Sequence, residues 1–156
     1  MQKITPFLWF DHQAEEAARF YTWIFPDSKI DQISLYGETE HGQKGTVMMV
    51  TFTLNGQEFM ALNGGPIYSF TPAISLYVNC KDQAEVDWYW DKLSAGGQVV
   101  ECGWLTDKYG ISWQIVPEIL GTLMSDPDRQ KADRAMQALL KMKKLDVSLL
   151  QKAFNG

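Results

Sequence analysis

The sequence predicts an α+β fold made of two tandem βαβββ modules and a C-terminal helical tail. Three observations carry that expectation. Phe10-Asp11 followed by Gln13-Ala14-Glu15 returns as Val78-Asn79 followed by Gln83-Ala84-Glu85, which sets the triplets 70 residues apart. The helix stop signals keep the same interval, Phe25-Pro26-Asp27 in the first copy and Gly96-Gly97 in the second. In each copy an extended apolar segment precedes the helix and short extended segments follow it.

Taken in order, Ile4 to Phe10 reads as a strand rich in Phe and Trp. Asp11 is then the expected cap of a helix whose apolar stripe is Ala14, Ala17, Ala18, Tyr21 and Ile24. Strands are expected near Lys29 to Leu35, over Thr46 to Leu54 and over Glu58 to Leu62, the last two joined by the hairpin dipeptide Asn55-Gly56. The second copy begins with Ala73 to Val78, and Asp82 with Glu85 forms a capping box before Val86, Trp90 and Leu93. Its strands are Gln98 to Glu101, Gly103 to Asp107 and Ile111 to Val116, with a turn at Lys108-Tyr109-Gly110 and an end at Pro117. In the tail, Asp126-Pro127 opens a helix with Ala132, Met136, Leu139 and Leu140 on one side. Asp146 caps a shorter helix with Leu149, Leu150 and Phe154. The expected boundaries are 1–66 for the first module, 67–120 for the second and 121–156 for the tail, together one structural domain.

Composition narrows the functional classes. At 156 residues, 46% hydrophobic and 13% aromatic, the chain is globular and too short for a large multidomain enzyme. Residues 1–125 hold seven basic and fifteen acidic side chains, so nucleic acid is not expected as a partner. The tail, 126–156, holds seven basic and four acidic side chains, and Lys141, Lys143 and Lys144 lie near a helix end where the dipole favours cations. The longest uncharged, strongly apolar stretch, Thr46 to Leu54, is far below the ~20 residues of a membrane helix, and no signal-peptide core opens the chain. A cytoplasmic protein without membrane partner is expected, with Cys80 and Cys102 as reduced thiols.

The motifs Phe10-Asp11, Gln13-Ala14-Glu15-Glu16-Ala17, Phe20-Tyr21 and Phe25-Pro26-Asp27-Ser28 recur in a known family. So does the long run Cys102-Gly103-Trp104-Leu105-Thr106-Asp107-Lys108-Tyr109-Gly110-Ile111-Ser112-Trp113-Gln114. With these motifs the chain resembles the PhnB-like branch of the vicinal-oxygen-chelate superfamily, which includes glyoxalase I, bleomycin-resistance proteins and extradiol dioxygenases. The likeness runs over nearly the whole chain, the Lys-rich tail included. It implies a glyoxalase-like cup closed by the sheets around a small-molecule pocket, and a homodimer with exchange of modules.

The resemblance also implies where a divalent metal would be held, on the first and last strands of each module. Those positions carry Thr5, Met60, Ala73 and Gln114 here, of which only Gln114 is a credible ligand. No metal or other cofactor is therefore expected. His12 with Glu15, and His41 in a Gly-rich loop, are the remaining places for one; His12 is expected as a solvated first-turn residue.

Strand alternation puts Thr5, Phe7 and Trp9 on one face, with Met60 and Leu62 from the closing strand. The equivalent face of the repeat holds Ala73, Ser75 and Tyr77 with Ser112 and Gln114, while Trp113 points into the helix-packed core. The expected ligand contacts are Trp9, Ser75, Tyr77 and Gln114, which carry polar handles, then Thr5 and Met60. The branch is also described as a 3-demethylubiquinone methyltransferase domain, but neither Gly64-Gly65 nor Gly96-Gly97 lies between a strand and a helix N-terminus, as a nucleotide-binding loop requires. For an enzyme of the superfamily, the alternative, Glu101 and Gln114 are the residues to test, while Cys102 has no His close in sequence to activate it and Asp107 is expected in a turn. No catalytic residue is assigned.

Overall fold

A computed structural model describes residues 2–38 and 42–156. The chain forms two compact units, one ending at Phe70 and the other running Thr71–Gly156. Each holds a four-stranded mixed sheet.

The first unit comprises β1 (Phe7–Phe10), α1 (Ala14–Ile24), β2 (Lys29–Leu35), β3 (Val47–Leu54) and β4 (Gln57–Asn63). Strand order is β1-β4-β3-β2, with β1 parallel to β4 and the other pairs antiparallel. Period-2 alternation on β3 and β4 sends Val50, Phe52, Leu54, Phe59 and Ala61 to one face, all buried. The buried stripe of α1 is Ala14, Ala17, Ala18, Tyr21 and Ile24. Tyr21 stacks on Phe52 at 6.4 Å and Phe52 on Phe59 at 5.5 Å. Burial of each such side chain contributes roughly 1.5–3 kcal/mol. The hairpin turn is as expected: Asn55 and Gly56 both take positive φ, 47° and 82°, the geometry that matches strand twist.

The second unit repeats the pattern with β5 (Ser75–Cys80), α2 (Gln83–Ser94), β6 (Gln98–Val99), β7 (Trp104–Thr106) and β8 (Ser112–Pro117). Its order, β5-β8-β7-β6, is that of the first sheet, and β5 is again parallel to β8. Asp82 caps α2 by accepting the Glu85 N–H at 3.0 Å, and Glu85 returns the bond one residue early, accepting from the Lys81 N–H at 2.8 Å. Trp113 is buried, as alternation on β8 required.

Beyond β8 come α3 (Ile119–Met124), α4 (Arg129–Leu139) and α5 (Val147–Asn155). Val116, Leu123, Ala135, Leu139, Leu145 and Leu150 form one buried cluster that fastens the tail to the end of the second sheet. Backbone bonds add to it: the Cys102 and Gly103 N–H groups donate to Met142 O and Lys143 O at 2.8 Å each. Gln83 completes the clasp, donating to Leu145 O at 3.0 Å and accepting from the Val147 N–H at 2.7 Å.

Several local expectations are corrected. Asp11 does not cap α1; the N-cap is Gln13, without a side-chain bond, and Asn63 Oδ1 accepts the Ala14 N–H at 2.8 Å instead. The parallel pairing of Phe10 with Asn63 brings the end of β4 beside the helix start, so a residue distant in sequence replaces the local cap. In the tail the cap is Asp128, whose carboxylate accepts from the Gln130 and Lys131 N–H groups, while Asp126 only holds the preceding turn through the Asp128 N–H. That start makes Ala132, Ala135 and Leu139 the inner face of α4 and leaves Met136 and Leu140 exposed. Helix α3 was not anticipated, because its six residues follow a strand without a recognisable cap.

Candidate functional site

In each unit the helix covers one sheet face, and the expected site residues stand on the other. On the second sheet, Tyr77 and Trp104 pair with Gln114 from either side, and Ser75 and Thr106 pair with Ser112. The Gln114 side-chain amide donates to Ser75 Oγ at 3.0 Å. This bond sets the Gln114 rotamer, leaving its carbonyl oxygen and the Tyr77 hydroxyl without a hydrogen-bond partner among the described residues. Tyr77 is 58% exposed. Partial burial of its ring, then the nearby Cys80, raises its phenol above the ordinary value, so at neutral pH it is a neutral donor.

On the first sheet, Phe7 pairs with Met60 and Trp9 with Leu62. The Trp9 indole is held in place: its N–H donates to Gly65 O at 2.9 Å, and its ring meets Tyr68 edge-on at 5.0 Å. Its polar handle, expected to be free for a ligand, is thus taken by the protein. Thr5 accepts a bond from Gln2 Nε2 at 3.3 Å, in a segment that Gln2 ties to Glu58 through two further bonds. The structure therefore brings Trp9 and Met60 onto one face of the first sheet, and Ser75, Tyr77 and Gln114 onto one face of the second; Thr5 precedes β1 and Ala73 lies in the turn before β5, so the expected strands begin later than the sequence indicated.

The four metal positions implied by resemblance offer a hydroxyl, a thioether, a methyl group and a primary amide, a poor set for a divalent ion. Among the described residues no three His, Cys, Asp or Glu side chains gather as a metal site. His12 is three-quarters exposed and 3.4 Å from the Asp11 carboxylate; His41 lies outside the described residues. Cys80 and Cys102 are free thiols, and burial pushes Cys80 up to about 12, far from a thiolate at neutral pH.

Asp107 is buried, and it does more than turn the chain. One oxygen accepts from the Tyr109 and Ile111 N–H groups at 2.9 and 3.1 Å, and the other from the Trp113 indole at 2.8 Å. It thereby sets the start of β8, and with it Ser112 and Gln114.

Sequence reasoning missed a cleft of about 510 Å³ where β1 and β4 end and α1 begins, lined by Asp11, His12, Glu15, Tyr36 and Asn63 among others. Asn63 builds it, accepting from Ala14, donating to Val47 O at 3.1 Å and receiving the Tyr36 hydroxyl on its carbonyl. No sequence signal marks an Asn at a strand end for that work.

Comparison with known families matches residues 2–116 to the family described as 3-demethylubiquinone-9 3-methyltransferase. Among solved structures, a PhnB protein from Bacillus cereus of the same description is 46% identical, with 74% of this chain covering 99% of that one at a TM-score of 0.69. Protein PA1353 from Pseudomonas aeruginosa shares the fold at 20% identity, with 76% and 98% of the two chains covered and a TM-score of 0.64. A glyoxalase-related enzyme from Fulvimarina pelagi is more distant, at 15% identity, coverage of 76% and 91%, and a TM-score of 0.45. No curated protein matches the chain. The family match stops at residue 116, so the helical tail lies outside it, a correction to the extent of the likeness expected from sequence. On that match and on 46% identity over nearly all of the Bacillus cereus protein, the chain belongs to the PhnB-like 3-demethylubiquinone-9 3-methyltransferase family and has its paired βαβββ fold.

Proposed function

We propose that the chain is a small-molecule-binding protein that works without a divalent metal, and that its ligand lies on the uncovered face of the second sheet. One observation carries this reading: the Gln114 carbonyl and the Tyr77 hydroxyl stand on paired strand positions of an uncovered face, without protein partners among the described residues. An acceptor beside a donor, flanked by the Trp104 ring, suits a flat, mostly apolar molecule with one or two hydroxyl, carbonyl or amide groups. Trp9 and Met60 give the first unit a second apolar surface for the same class of molecule. The donor chemistry at Thr5, Met60, Ala73 and Gln114 supports the metal-free part of the reading.

Native mass spectrometry of protein purified without chelator tests it. The expected result is a metal-free species that retains an organic mass, lost in Gln114→Ala and weakened in Tyr77→Phe. Stoichiometric divalent metal would overturn the reading.

The family's description favours a second reading, transfer of a methyl group from adenosylmethionine. Against it, the sheets are mixed rather than doubly wound, and the strand-to-helix connections Asp11 to Gln13 and Lys81 to Asp82 contain no glycine. Calorimetric titration with adenosylmethionine separates the two; saturable binding would favour the transferase. A homodimer in a reducing, cytoplasmic setting completes the proposal. Exposed Ile4, Phe7 and Ile74 support the first part, and the two free thiols the second.

A further inference from the structure

We propose that the helical tail carries a second binding site, a groove between α4 and α5 for a free single-chain amphiphile with an anionic headgroup. The tail lies beyond the family match, so this site is separate from the sheet faces discussed above.

The helices meet in the buried cluster that includes Ala135, Leu139 and Leu150. Above that contact an open-sided groove of about 790 Å³ remains, with Ala138, Met142, Leu149 and Ala153 in its mainly apolar lining. That volume is in the range of small-molecule pockets. Leu149 is 53% exposed there, an apolar side chain that gains from being covered.

Charge selects the headgroup. Lys141 and Lys152 line the groove, are exposed, and make no ion pair among the described residues. Arg134 adds a third cation while its guanidinium donates to Ala153 O at 3.0 Å and Phe154 O at 2.8 Å, which closes the far end of α5. Asp133 is the single side-chain carboxylate in the lining. A cationic or zwitterionic head would meet net repulsion or no gain; a carboxylate meets two unpaired ammonium groups.

Length argues for a free molecule over a membrane surface or a partner helix. Helices of eleven and nine residues are only about 16 and 14 Å long.

The test is backbone NMR of the full chain titrated with dodecanoate below its micelle-forming concentration. Saturable shifts are expected at Ala138, Met142, Leu149 and Ala153. Reversing both surface charges in the Lys141→Glu, Lys152→Glu double variant should weaken the interaction by a factor of about ten, with the unligated spectrum of the core unchanged. Dodecyltrimethylammonium, with the same tail and opposite head, should produce no saturable shift. Equal response to both amphiphiles, shifts confined to the sheets, or an affinity unmoved by charge reversal would overturn the proposal. So would binding to phosphatidylglycerol vesicles without binding to monomeric dodecanoate, which would make the surface a membrane contact.

Discussion

Asp107 shows how one side chain can hold a strand in place. Its carboxylate serves two backbone N–H groups and the Trp113 indole, so Asp107→Ala would leave three donors, two of them buried, without their acceptor. Removing such a partner costs about 3 kcal/mol or more, and the expected outcome is a folded protein with a clearly lower urea midpoint. A midpoint unchanged from the parent would show that water replaces the carboxylate. Sequence reading placed Asp107 in a turn, which is correct, but missed its bond to Trp113. That bond spans six residues and exists only because β8 turns back beside the loop. The same distinction holds for the site residues. Alternation identified the faces of Ser75, Tyr77 and Gln114, whereas the Gln114–Ser75 bond and the capture of the Trp9 N–H by Gly65 depend on which strands are neighbours.

At the level of helices and strands, the joint between α2 and the tail is the most informative. Gln83 in the first turn of α2 bonds Leu145, Val147 and Asp87, and Lys144 lies 3.0 Å from the Asp87 carboxylate. The Gln83 amide first, then Lys144, holds Asp87 below its ordinary value of 3.8. A depressed carboxyl stabilises the fold above the unfolded-state pKa, and that contribution disappears as pH falls through the folded value. Because the Asp87 and Lys144 side chains are 46% and 40% exposed, the energy is small. The measurable consequence is an Asp87 titration midpoint below 3.8 by NMR, displaced upward by Lys144→Ala; a midpoint at or above 3.8 would exclude the clasp in solution. The repeated Gln-Ala-Glu triplet thus performs different tasks in its two copies. Gln13 sits at an N-cap without a side-chain bond, while Gln83 is the clasp that ties the tail to its helix.

For the molecule as a whole, the two units share strand order, the parallel first-to-last pairing and one covering helix each. Each leaves one sheet face without a helix, and that face exposes Phe7 in one unit and Tyr77 in the other. An uncovered apolar face of this kind is ordinarily buried by association or by a ligand. Light scattering at micromolar concentration is therefore expected to give twice the chain mass of 17.8 kDa, and a monodisperse monomer would count against the homodimer. Among the described residues no helix is long and apolar enough to cross a membrane.

Periodicity and local stop signals were sufficient for the repeat, for both βαβββ units and for the Asp82 and Asp146 caps, because those features involve residues within a few positions of one another. Parallel pairing and helix packing decided the rest. They supplied the Asn63 cap of α1, the cleft beside it, the inner face of α4, the cationic groove of the tail, and the bond between Gln114 and Ser75. In each of those cases the partners are separated along the chain or lie on different elements. Contact between them follows from strand order and the burial of apolar faces, which local sequence patterns do not encode.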